Sequence, residues 1–104
     1  MASKKIDGNT IVYSAAAWWR DNDPSMQAVA LTSKRVEKEI EKQMREAARW
    51  ARDDGNYETI REALGDIAWS GVHTFALKDL ASSRELREAI DELEDSGVWY
   101  PPTP

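Results

Sequence analysis

The stretch Ser33–Asp54, SKRVEKEIEKQMREAARWARDD, is the most periodic part of the chain. Val36, Ile40, Met44, Ala47 and Ala51 recur at three- and four-residue steps, which places them on one face of a helix. Lys34, Lys38, Lys42, Arg45, Arg49 and Arg52 recur at the same steps roughly half a turn away, at ~100° per residue. Such a helix has one side that must be buried and an opposite side carrying positive charge. The remaining segments are expected to pack on the first side, and a partner that favours cations on the second.

The chain is long enough for one core but not for two, so residues 1–104 read as a single domain. Residues 1–8 read as a loose lead-in and 101–104 as a Pro-rich tail. Apolar residues at 41% and charged residues at 32% argue for a globular chain rather than a disordered one. The formal net charge of −5 argues against a whole-molecule polyanion binder, though not against a local basic patch. Cysteine is absent, which excludes disulfides, thiolate catalysis and Cys-ligated zinc and fits a cytoplasmic location. No apolar run approaches the roughly 18–20 residues of a membrane span, so no membrane partner is expected. Met1–Lys5 has the charge of a leader, but Ile6-Asp7-Gly8-Asn9 stands where its apolar stretch would begin, and no targeting segment is expected.

Thr10–Asp21 carries two signals. Ile11-Val12-Tyr13 has β propensity, whereas Ile11, Ala15, Trp18 and Trp19 fit a helical face, and the reading favours helix. Asp21-Asn22-Asp23-Pro24 ends it and starts a second helical segment with Met26, Val29 and Ala30, either continuous with the long helix or separated from it by a cap at Ser33. After Gly55, Tyr57–Trp69 reads as a helix with Tyr57, Ile60, Leu64, Ile67 and Ala68 inward, broken at Ser70-Gly71. Val72-His73-Thr74 reads as a short strand, Thr74 as the cap of a brief helix Phe75–Ala81, and Ser82 with Glu85 as a capping box. The helix this box opens shows Leu86, Ala89, Ile90 and Leu93 on one face and ends at Gly97, before an extended Val98-Trp99-Tyr100. The expected fold is therefore all-α or nearly so: a compact bundle of four to six helices, with at most a small two-stranded wing. Ile40, Leu64, Leu86, Ile90 and Leu93 are expected to be nearly fully buried.

Residues 57–100 resemble a winged helix-turn-helix. The resemblance is carried by Thr74 with Lys78-Asp79-Leu80-Ala81, then Leu86, Ile90 and Leu93, then Gly97 followed by Val98-Trp99. In DNA-binding members the helix after the turn enters the major groove. Here that helix carries Glu85, Glu88, Asp91, Glu92, Glu94 and Asp95 against Arg84 and Arg87, a face that a duplex would repel. That face argues against DNA readout by this helix, an objection that winged helices used as protein-docking modules do not meet. The first half with this ending also resembles helical modules attached to phage and plasmid primases, and small size without catalytic groups suits a phage or mobile-element origin.

Chemistry-bearing patterns are scarce. His73 is the only histidine, no His-Glu cluster or EF-hand spacing occurs, and Glu37/Glu41 and Asp53/Asp54 read as solvated carboxylates. No Gly-rich phosphate loop or Ser-His-acid order is present. No catalytic, metal or cofactor-binding residue is assigned, and the chain is expected to be neither an enzyme nor a holder of cofactors. The candidate partner-binding residues are the stripe Lys34, Lys38, Lys42, Arg45, Arg49 and Arg52, the acidic Glu88, Asp91 and Glu92, and the aromatic Trp99 and Tyr100. The stripe reads as a solvated face laced by pairs such as Glu41–Arg45, as a surface that meets the acidic Glu85–Asp95 face of a second copy in a homodimer, or as a track for a nucleic-acid backbone. Trp18, Trp50 and Trp69 have positions consistent with a core, whereas Trp19 and Trp99 are harder to bury, and Trp99-Tyr100-Pro101-Pro102 suits a protein-binding spot. The expected function is a small non-enzymatic interaction or regulatory protein that binds another protein through charged and aromatic surface. The alternative is a nucleic-acid-binding winged-helix regulator, or a replication-associated helical module, using the basic stripe.

Overall fold

The computed structural model describes residues 5–20 and 26–101. The turn expected at Asp21–Pro24 and the end of the Pro-rich tail lie outside these residues. In chain order the elements are β1 (Ile11–Trp19), β2 (Met26–Ala30), α1 (Ser33–Asp53), α2 (Ile60–Gly65), β3 (Ile67–Trp69), β4 (His73–Ala76), α3 (Leu77–Leu80), α4 (Leu86–Ser96) and β5 (Val98–Trp99). All strand pairings are antiparallel: β2 and β5 follow β1 on one side, and β3 and β4 both pair with β1 on the other.

This overturns the expectation of a helical bundle. Thr10–Asp21 and the segment from Met26 were expected to be helical, yet they hold the two strands at the centre of the sheet. The physical reason is their burial on two faces. Tyr13, Ala15, Ala17 and Trp19 face α1 and α2, whereas Val12 belongs to the core on the other side. A strand covered on both faces does not alternate apolar with polar, so its pattern loses the period of two. Ala15, Ala17, Ala28 and Ala30 are at most 1% exposed. These small side chains form the floor on which α1 lies, through Val36, Ile40 and Ala48.

The long helix forms where expected. Thr32, one residue before the expected cap, accepts the Arg35 amide with its Oγ1 at 3.1 Å, and Gly55 follows the helix with φ +84. The next helix is shorter than Tyr57–Trp69: it starts after the cap Thr59 and stops at Gly65, because Ile67–Trp69 pairs with Trp19–Ala17. The expected Thr74 cap does not form, since Thr74 pairs with Tyr13 in β4 and α3 starts after Ala76. Nor do two C-terminal strands form a wing: β4 pairs with β1 and β5 with β2, on opposite sides of the hairpin. The Ser82–Glu85 box is made reciprocally, with the Ser82 amide donating to Glu85 Oε1 at 3.1 Å and the Glu85 amide to Ser82 Oγ at 3.3 Å. The hydrogen bond from Ser82 holds the Glu85 carboxyl below its ordinary pKa.

Two register offsets show that β3 and β4 are one strand with a bulge. Trp69 lies opposite Ala17, but His73 lies opposite Ser14, so one extra residue sits between them. Gly71 takes φ +77 there, and Ser70 fills the gap: its Oγ accepts the Ala16 amide at 3.0 Å and donates to the Gly71 carbonyl at 2.8 Å. The extra residue turns His73 and Phe75 onto the face opposite α1.

On that second face Val12, Val29 and Trp99 pack against Leu77 of α3, Ala81 just after it, and Ala89 and Leu93 of α4, with Ile6 among them. Residue 6 of the expected lead-in is thus part of the core. Ile40 and Leu93 are 2% and 1% exposed as expected, whereas Leu64, Leu86 and Ile90 are only half-buried at the borders of the two cores.

Candidate functional site

The six stripe cations, Lys34, Lys38, Lys42, Arg45, Arg49 and Arg52, are all exposed along the outer side of α1. Acid is interleaved with them. Arg45 donates to Glu41 at 2.7 Å, Arg52 pairs with Asp53 at 3.2 Å, and Arg35 approaches Glu39 at 3.5 Å. Arg45–Glu41 is a solvated i,i+4 helix-surface pair contributing ~0.3–0.5 kcal/mol, whereas Arg52 and Asp53 are chain neighbours at the helix end. Glu88 and Asp91 are exposed and Glu92 is half-buried on α4. Since α1 and α4 cover opposite faces of the sheet, the stripe and the acidic residues point away from each other. Joining them between two copies is a head-to-tail contact, one of the two arrangements the stripe and the acidic face allow.

The two aromatic candidates separate. Trp99 sits in β5 opposite Val29 and is 1% exposed, so it supplies core and no surface. Tyr100, the next residue, is 51% exposed and donates its hydroxyl hydrogen to the Glu39 carboxylate of α1. That bond, with some burial, pushes the Tyr100 phenol up to about 12. Tyr100 therefore ties the chain after β5 to α1.

A site that the sequence did not reveal lies at the C-terminal end of α1. β1 ends there with Trp19, Arg20 follows it, and the segment after α1 returns past it with Tyr57. The Trp19 and Tyr57 rings stack, with centroids 5.8 Å apart and planes 11° apart. The Tyr57 hydroxyl donates to Asp66 Oδ2 at 2.6 Å, and the Arg20 amide donates to the Asp66 carbonyl at 3.0 Å. Trp50, on the last turns of α1, is 72% exposed. Trp19, Tyr57, Trp50, Arg20, Asp54 and Asp66 line one open cleft of about 670 Å3. Trp50 was expected in the core. At ~100° per residue it lies about a quarter turn from the Val36–Ile40–Ala47–Ala51 line, and that offset was the available signal. Trp69, also expected inside, is 45% exposed on the bulged edge strand.

Among the described residues no group of three or more His, Cys, Asp or Glu side chains is placed to hold a metal ion. His73 lies exposed, its Nε2 3.0 Å from the Ser70 carbonyl oxygen. No helix among the described residues is long and apolar enough to cross a membrane. Comparison of the chain with models of protein families, with curated proteins and with solved structures gives no match.

Proposed function

We propose that this protein is a small, non-enzymatic interaction protein that binds another protein, and that the cleft at the end of α1 is where it does so. The observation that carries the reading is Trp50. A tryptophan left 72% exposed beside a stacked Trp19–Tyr57 pair puts a large apolar area at the surface. Arg20, Asp54 and Asp66 surround it with polar groups, the arrangement of an aromatic anchor inside a polar rim. The stacking and the two hydrogen bonds to Asp66 hold the floor of the cleft in place, so little ordering is left to be done on binding.

A second reading is favoured by one observation, the exposure of all six stripe cations on a single 21-residue helix. It makes the outer side of α1 a track for a nucleic-acid backbone. Glu37, Glu39, Glu41 and Glu46 on the same helix oppose it, as does the net charge of −5.

Affinity capture from the native host's lysate, with and without nuclease, separates the two. The wild-type chain is expected to retain a protein that survives nuclease and is lost with Trp50→Ala. Retention that nuclease abolishes, and that Trp50→Ala leaves unchanged, contradicts the first reading.

A further inference from the structure

The chemistry of the cleft restricts what enters it. We infer that the cleft between Trp50 and the Trp19–Tyr57 pair receives a cationic side chain of the partner, an arginine in preference to a lysine. The inference rests on the reading of the cleft as a protein-binding site.

Three aromatic side chains line the cleft, Trp19 and Tyr57 stacked on each other and Trp50 72% exposed, and the face of an exposed indole attracts cations. A planar guanidinium stacks on such rings and keeps its edge donors for oxygen acceptors, which an ammonium on a flexible stem does less well. Acceptors are at hand. Asp54 is exposed and, among the described residues, neither Asp54 nor Asp66 is in a salt bridge. Asp66 uses Oδ2 for the Tyr57 hydroxyl, and an ionised carboxylate has further lone pairs to offer a bidentate donor. The same two carboxylates disfavour a phosphate or an acidic peptide. Arg20 also lines the cleft, and its charge works against a cationic guest. This gives the inference a sign that an experiment reads directly: neutralising Arg20 tightens a cation and loosens an anion.

The test follows the tryptophan indole N–H signals of the full chain by NMR, with Trp50 assigned from Trp50→Ala. It titrates a blocked arginine-rich peptide, its lysine and glutamate counterparts, and AMP as a phosphate-bearing base. The Trp50 signal is expected to move with the arginine peptide at about millimolar concentration, less with lysine, and not with glutamate or AMP. Asp54→Asn and Asp66→Asn should each weaken the arginine peptide, and so should Trp50→Ala, read from the indole of Trp19 in the same cleft, by about 2- to 30-fold. Arg20→Gln should strengthen it. A Trp50 signal that ignores the arginine peptide overturns the inference, as does one that follows glutamate or AMP and loses that response in Arg20→Gln. If lysate capture still depends on Trp50 in that event, protein binding at the cleft stands and only the cationic guest is wrong.

Discussion

Trp19, the last residue of β1, stacks on Tyr57, which precedes α2, with ring planes 11° apart and centroids at 5.8 Å. This contact joins the sheet to the segment that follows α1 and forms the floor of the cleft. Stacked pairs contribute ~0.5–1.5 kcal/mol beyond the area they bury. Tyr57→Phe keeps the ring and removes the hydrogen bond to Asp66, at a cost of ~0.5–1.5 kcal/mol. Tyr57→Ala removes both and should be the more destabilising by at least the stacking contribution. Denaturant midpoints of the two variants check the order, and equal midpoints would show the stacking to be without effect.

Two tryptophans should differ widely when truncated. Trp99 is 1% exposed and Trp50 72%. Trp99→Ala should cost ~3–5 kcal/mol through lost burial and a cavity. Trp50→Ala should stay within ~0.5 kcal/mol of the wild type. Leu93→Ala, at the same core as Trp99, should cost ~2–5 kcal/mol. Urea melts giving Trp50→Ala the larger loss would reverse the assignment of core and surface.

That contrast marks what a reading of the chain can and cannot reach. α1, the Ser82–Glu85 box and the end of the last helix at Gly97 were legible because each is set by local chemistry: a long amphipathic period, a reciprocal cap, a glycine that stops a helix. The central hairpin was not. Ala15–Ala17 is a run of good helix formers, and β1 uses Ala15 and Ala17 because α1 must come close, a demand that exists only in the folded molecule. Nothing near Trp99 in the chain marks it as core; its burial comes from β5, which places it opposite Val29 under α4. The cleft joins residues 19, 50 and 57 from three segments, and no spacing in the sequence announces that meeting.

Tyr100 gives a pH signature. Its hydrogen bond to Glu39 raises the phenol from 10.0 to about 12. A raised pKa means that the folded state holds the proton longer. The stabilisation is therefore complete below pH 10.0 and is lost as pH rises through about 12. Spectroscopic titration of the tyrosinates should show a late step that Glu39→Ala moves down toward 10.0. An unchanged late step would place its cause elsewhere.

The basic stripe should be dispensable for the cleft. Reversing Lys38, Lys42, Arg45 and Arg49 to Glu changes only exposed positions, on the side of α1 away from the sheet. Gel shifts at about 0.15 M salt should show no oligonucleotide bound by the wild type. The reversed chain should hold its captured protein partner as the wild type does. A micromolar shift at that salt, abolished by the reversal, would move the function to the stripe.

Site-specific photo-crosslinking tests the central claim most directly. A photoreactive phenylalanine derivative replaces Asn56, which lines the cleft beside an intact Trp50, Lys42 on the stripe or Glu88 on α4, all exposed. After irradiation in host lysate and nuclease treatment, position 56 is expected to carry a discrete protein adduct that positions 42 and 88 lack. Adducts at position 42 or 88 with none at position 56 would contradict the account.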